Sequence, residues 1–229
     1  MNNDYLLKMY HMSFSYEEKS IFEESDFTIN ENEKVIIYAN NGSGKTTFLN
    51  VCAGFLSPFS GSCFRKNELK IGYLFQNPYV QNISITVEEE LVSVCKNYGM
   101  NDKVINEKVG YFLGIFGLNH LRKRDIVSLS GGEKQIISFL SNLIMEPDII
   151  FFDEPFSMID SGARRRLIKI LNNISKLAFI IVTSLYFPSL DVSDQYIIDN
   201  KKILKISGEP EHDYFLKRGI FPVVSDDYI

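Results

Sequence analysis

Nine consecutive residues, Ala39-Asn40-Asn41-Gly42-Ser43-Gly44-Lys45-Thr46-Thr47, are the first place in this chain where residue types and spacing could do chemistry. Gly42 and Gly44 let the backbone curl so that successive N–H groups converge, and a convergent set of N–H groups attracts a phosphate. Lys45 adds a compact positive charge for the outer phosphates of a nucleotide, and the Thr46 hydroxyl suits Mg²⁺. Asn41, Ser43 and Thr47 complete the cradle. The strict pattern opens with glycine where Ala39 stands; one methyl at a strand end asks less room than a side chain over the phosphates would. A second reactive segment is Ile149-Ile150-Phe151-Phe152-Asp153-Glu154-Pro155. Two carboxylates at the end of an apolar run are costly to bury unless they have a cation or a proton to handle. Asp153 is placed to hold the magnesium shell and Glu154 to polarise an attacking water. The two segments together predict a protein that binds ATP with Mg²⁺ and hydrolyses the ATP.

Such residues need a rigid frame. Lys34–Ala39 reads as an apolar strand running straight into the glycine-rich loop, and a helix is expected from Lys45. That helix would bury Phe48, Leu49, Val51 and Cys52 and stop at Gly54 and Pro58. Ile71–Phe75, Ile149–Phe152 and Ala178–Val182 read as further strands, the all-apolar middle one suiting a parallel strand covered on both faces. Tyr5–Tyr10, Met12–Tyr16 and Ser25–Ile29 alternate polar and apolar, which predicts antiparallel strands. From Thr86 to about Leu121 the period is helical, with breaks at Gly99 and Gly117; Ser130–Met145 and Ser161–Asn173 read as helices, the last with a basic outer face. Gln195–Ile198 and Ile203–Ile206 form an expected hairpin around Asn200-Lys201-Lys202, before a brief polar tail from Gly208. Strands alternating with helices after Lys34 predict an α/β fold with a mostly parallel sheet and N-terminal antiparallel strands. The expected organisation is one domain over 1–229, with a helical subdomain near 86–145 and a short C-terminal tail at 208–229.

The 229 residues, 45% apolar and 23% charged, suit one compact unit. A net charge of -5 gives no overall basic footprint for nucleic acid, and Arg122-Lys123-Arg124 reads as a solvated loop. Cys52, Cys63 and Cys95 lack metal-ligand spacing and read as reduced thiols. Met1-Asn2-Asn3-Asp4 lacks the basic start of a signal peptide. Ile149–Phe152 and Leu177–Thr183 are too short to span a bilayer, so a cytoplasmic protein without direct membrane insertion is expected.

Leu129-Ser130-Gly131-Gly132-Glu133-Lys134-Gln135 resembles the signature of ABC ATPases, the nucleotide-binding subunits of ABC transporters and their relatives. Glu133 stands where glutamine is commonest and Ile136 where arginine is common. The resemblance implies a P-loop NTPase of ABC type in which Ser130 and the Gly132 backbone reach the γ-phosphate bound to a second subunit. The residue types agree, since Ser130, Gly131 and Gly132 would crown a helix N-terminus whose unpaired N–H groups favour an anion. Tyr16 matches the aromatic that stacks on adenine, and Gln76 the glutamine that senses magnesium and communicates with a membrane partner. Ser157-Met158-Ile159-Asp160 matches the loop that places Asp160 at the dimer seam. One position departs: in Ile181-Val182-Thr183-Ser184-Leu185, Ser184 stands where the family has a histidine on the γ-phosphate, and His11, His120 and His212 lie elsewhere. A serine hydrogen-bonds but cannot become an imidazolium. Slow hydrolysis with binding retained is therefore expected at this chain's own phosphate loop.

The stretch Tyr73-Leu74-Phe75-Gln76-Asn77-Pro78-Tyr79-Val80-Gln81, then Thr86-Val87-Glu88-Glu89-Glu90, resembles the ATPases of energy-coupling-factor transporters, which import vitamins, cobalt or nickel. Ser207-Gly208-Glu209-Pro210-Glu211 and Gly219-Ile220-Phe221-Pro222 resemble them too. The implied partners are a transmembrane scaffold or permease, a small substrate-binding membrane protein and a second ATPase subunit, identical or different. The implied location is the inner face of the cell membrane, reached through those partners. Other transporters of the family, a DNA-repair or chromosome ATPase, and a weakly hydrolysing nucleotide-binding subunit stay open at this point.

Overall fold

A computed structural model describes residues 5–77, 84–157, 159–208 and 212–222. Its centre is β3 (Lys34–Tyr38), whose residues from Val35 onward are buried. Parallel strands flank it on both sides, β7 (Ala178–Thr183) and β9 (Asp194–Asp199), with β6 (Ile149–Asp153) and β5 (Ile71–Leu74) beyond β7. Among the described residues the sheet runs β10-β9-β3-β7-β6-β5, and β10 (Lys202–Lys205) is antiparallel to β9. The expected hairpin is present, and its first strand joins the main sheet beside β3, which the sequence reading did not foresee.

Alternate side chains of the central strands enter two different cores. Val35, Ile37, Ile149, Phe151, Ala178, Ile180 and Val182 face one side, with α1 (Lys45–Ala53) and the antiparallel strands. Ile36, Tyr38, Ile150, Phe152, Phe179 and Ile181 face the other, with α5 (Ser161–Asn173). Burial on both faces explains the unbroken apolar runs, because the period-two alternation has no solvent side to mark. The antiparallel sheet has the order β2-β1-β4, from β2 (Lys19–Asn30), β1 (Tyr5–Tyr16) and β4 (Ser60–Arg65). β1 is one strand, interrupted but not ended at His11, where φ is 46° and the backbone N–H donates to Asp26 Oδ1 at 2.8 Å. β4 escaped sequence reading because Ser-Gly-Ser-Cys-Phe-Arg has no apolar alternation.

The helical region holds its own core from α2 (Val87–Asn97), α3 (Asp102–Ile115) and α4 (Gly131–Leu143). Thr86 with Glu89 forms a reciprocal cap on α2, Asn101 caps α3, and Gly99 and Gly117 follow the two helix ends with positive φ. Phe139 of α4 reaches instead into the sheet core, which fastens the lobe to the sheet. Arg122 is paired with Glu88 and Arg124 donates to Ser128, so both arginines of the basic cluster have local partners.

Part of the tail is packed. After α6 (His212–Leu216), β11 (Phe221–Pro222) pairs in parallel with β8 (Leu185–Tyr186). Phe215 is 1% exposed, stacked on Tyr186 at 4.4 Å and edge-on to Tyr38 at 4.8 Å. Few apolar residues do this anchoring, which is why the segment reads as polar. Pro78–Gln81, Met158 and Glu209–Glu211, quoted for the family likeness, lie outside the described residues.

Phe215→Ala is expected to lower the unfolding free energy by about 3 kcal/mol in urea titrations, the usual cost of emptying a buried phenylalanine site.

Candidate functional site

The phosphate loop leaves β3 at the sheet's carboxyl edge and ends in α1. Gly44 takes the N-cap position with φ 102°, and a Cβ there would come within 2.5 Å of Ile21 Cγ2, so two independent constraints require glycine. Gly42 has φ 79° and nothing within 4 Å of where a Cβ would stand, which leaves space over the loop. The first turn of α1 carries no acidic residue and no side-chain cap, so its N–H groups face a prospective anion without a built-in competitor.

Lys45 is 7% exposed and folds back on its own loop. Its Nζ donates to Asn40 O at 2.9 Å, Ala39 O at 3.1 Å and Asn41 Oδ1 at 3.3 Å, and lies 3.1 Å from Glu154 Oε1. Thr46 donates from Oγ1 to Asp153 Oδ2 at 2.6 Å, tying α1 to the end of β6. Burial raises the Asp153 pKa above the ordinary carboxylate range; the Thr46 bond pulls it down, and the neighbouring Glu154 charge pushes it up again. Burial and the Asp153 charge likewise hold the Tyr73 phenol well above its usual range.

Glu154 is 4% exposed and adopts the left-handed conformation, φ 48°. Its Oε1 accepts the Ser184 N–H at 2.9 Å, and its Oε2 accepts from Thr183 Oγ1 at 3.1 Å. Ser184 thus meets the site through its backbone. Thr183 was missed by sequence reading; the pairing of Asp153 with Val182 sets the register that brings it beside Glu154.

A cavity of about 360 Å³ gathers Tyr16, Asn41, Gly42, Gly44, Lys45, Thr46, Thr47, Gln76, Asp153 and Glu154, with Lys19 and Ile21 as two lining residues sequence reading did not single out. Tyr16 is 47% exposed at its rim, with Phe14 edge-on at 4.9 Å. Ser43 shapes the loop instead, donating to Asn40 O at 2.7 Å. Hydroxyl and carboxylate oxygens from Thr46 and Asp153, with Gln76 on the same wall and no described histidine or cysteine, form a donor set that fits a hard cation such as Mg²⁺.

Ser130, Gly131, Gly132, Glu133 and Asp160 do not line that cavity. They gather elsewhere. Ser130 and Glu133 form a reciprocal cap on α4, and the Ser130 N–H holds the Glu133 carboxyl below its usual range. A Cβ on Gly132 would lie 2.4 Å from Ala163 Cβ, so the signature turn packs directly against the start of α5. Asp160 caps α5 through the Ala163 N–H at 2.9 Å, and that bond with the Gly162 N–H lowers its pKa. The chain therefore carries two separate clusters of the expected site residues, one around the glycine-rich loop and one at the start of α4.

Residues 22–157 match the family model described as ABC transporter. The chain belongs to the ABC transporter family. Among similar proteins is the energy-coupling factor transporter ATP-binding protein EcfA1 of Streptococcus pyogenes, 32% identical over 183 residues, covering 74% of this chain. The match spans 66% of that relative's length. In structure, the chain is similar to cbiO1 from Clostridium perfringens, described as part of the ABC transporter complex cbiONQ, with a TM-score of 0.79 and 22% identity over 95% of this chain and 93% of the other. It is also similar to an ATP-binding cassette of an ABC transporter in its ADP conformation, with a TM-score of 0.76 and 22% identity over 90% of this chain and 92% of that one. These likenesses account for the fold, including the N-terminal antiparallel strands and the parallel sheet.

Lys45→Ala is expected to weaken ATP binding by roughly 10- to 100-fold in calorimetric titration, the equivalent of losing one or two charge-assisted hydrogen bonds.

Proposed function

We propose that this chain is the ATP-binding and hydrolysing subunit of an energy-coupling-factor type importer, taking up a vitamin or a transition metal through a membrane partner. The observation that carries the reading is the separation of the two half-sites: the cavity around Lys45 lacks the Ser130–Glu133 turn of the same chain. A second ATPase copy supplies what each half lacks. ATP held from both sides bridges the two subunits, and loss of its γ-phosphate lets them part.

Within the site, the loop N–H groups and Lys45 hold the phosphates, Tyr16 takes the adenine face, and Glu154 orients the attacking water. Thr46, Asp153 and Gln76 would hold Mg²⁺, which supplies charge neutralisation on the phosphate oxygens. Lys45 must exchange its 3.1 Å contact with Glu154 for the nucleotide, and this exchange frees the carboxylate for water. Signature residues Ser130 and Gly132 act on the partner's nucleotide, and Asp160 lies at the seam.

No helix among the described residues is long and apolar enough to cross a membrane. A docking surface for a scaffold helix lies beside Gln76, where Phe55, Tyr73 and Phe75 stack in sequence at 6.0 and 4.4 Å; Phe55 is 65% and Phe75 40% exposed. An aromatic ladder bordering Gln76 favours a membrane partner over nucleic acid, and supports a location on the inner face of the membrane reached through that partner. A second reading, a weak member of an unequal ATPase pair, is favoured by Ser184 in the histidine position.

Isolation from gently solubilised membranes is expected to return one scaffold, one small membrane protein and a second ATPase; two equal large membrane domains with two copies of this chain would move it to another branch. Ser184→His is expected to raise steady-state ATP turnover about tenfold or more, on the scale of a positioned imidazole. Turnover equal to or below the parent's would show that Ser184 does not limit hydrolysis.

A further inference from the structure

Thr183 is wholly buried at the end of β7 and joins three parts of the molecule. Its carbonyl accepts the Ala39 N–H at 2.9 Å, at the root of the phosphate loop. Its hydroxyl donates to Glu154 Oε2 at 3.1 Å and accepts the Leu185 N–H at 3.1 Å. The next N–H, from Ser184, donates to Glu154 Oε1 at 2.9 Å. Two consecutive residues therefore fix both oxygens of one carboxylate, whose own backbone is in the left-handed conformation that L-residues rarely adopt.

The turn that makes this clamp is itself braced. Leu185 and Tyr186 pair with Phe221 and Pro222, and the Phe221 N–H donates to Ser184 O at 3.4 Å. The Phe215 ring covers Tyr186, and Arg218 Nε donates to Asp199 Oδ2 at 3.1 Å, pinning the segment to β9. Gly219 backs onto the Asn40 side chain so closely that a Cβ would stand 2.7 Å from Asn40 Oδ1. The same short segment thus touches both the phosphate loop and the turn behind the carboxylate.

We infer that Thr183 is a positioning residue for Glu154, and that the segment from His212 to Phe221 holds the turn through which Thr183 acts. The inference rests on Glu154 being the group that orients water. Thr183 does not line the cavity; it sets the direction of the carboxylate that does.

Three variants of the full chain test this, assayed in the assembled complex for ATP affinity, kcat and KM. Thr183→Val keeps the shape and removes the hydroxyl; kcat should fall about tenfold, the rate equivalent of one net hydrogen bond, with ATP affinity unchanged within about twofold. Thr183→Ser, which keeps the hydroxyl, should restore kcat to within about threefold of the parent. Phe221→Pro removes the N–H that reaches Ser184, and should lower kcat in the parent but add nothing in the Thr183→Val background, as coupled positions do. An unchanged kcat in Thr183→Val, a serine variant as slow as the valine one, or fully multiplicative losses in the double variant would each overturn the proposal. Should the parent itself hydrolyse no ATP, the ATPase reading fails on that measurement alone. Crystal structures of parent and Thr183→Val then decide the positioning: a Glu154 carboxylate turned away from Ser184 supports it, and one left in place overturns it.

Discussion

Asp153 and Glu154 bring two carboxylates, each 4% exposed, to adjacent residues at the edge of an apolar sheet. Their mutual repulsion and lost hydration have to be offset, and the fold supplies donors from every side. α1 reaches across with the Thr46 hydroxyl and the Lys45 ammonium, and the end of β7 reaches with Thr183 and the following Ser184. None of these donors could converge unless β3, β6 and β7 were neighbours in this register. The central sheet is therefore as much a device for bringing four donors to two carboxylates as it is a hydrophobic scaffold.

The arrangement divides labour between backbone and side chain. Around the phosphate loop, backbone conformation matters most, which is why Gly44 is wedged under Ile21 and Phe22. At the signature turn, side chains do the local work: Ser130 and Glu133 satisfy one another's backbone groups, and Gly132 closes the gap to α5. A helix whose start is tied to a neighbouring helix carries its displaced N–H groups as a unit. The signature turn and Asp160 are then one contiguous face joining α4 to α5.

Much of this was legible before any coordinates, and for physical reasons. Gly42, Gly44, Lys45 and Thr46 are read from local chemistry alone, as are Asp153 and Glu154 after their apolar run, and the structure brings the same residues to one cavity. Helix starts at Thr86, Ser130 and Asp160 were readable because these side chains cap residues three positions on; the Asn101 cap of α3 was not read. What stayed hidden depends on long-range pairing. β4 has no alternating pattern, Thr183 acquires its partner only through strand register, and the tail is held by a few residues such as Phe215 and Ile220, both 1% exposed. The place of β9 beside β3 is likewise a fact of topology, with no local mark in Asp194–Asp199.

The Lys45–Glu154 contact has a further consequence for which anions the loop retains. Because the ammonium is already matched to a carboxylate 3.1 Å away and to three oxygens of its own loop, an incoming anion has to outbid internal ligands before it gains anything. A chloride or a lone phosphate offers little beyond what the lysine already has. A polyphosphate chain offers several oxygens at once, engages the helix N-terminus in the same step, and leaves Glu154 to its hydrogen bonds on β7. Internal competition for the lysine thus ties any gain in binding to the number of loop groups an anion engages at once.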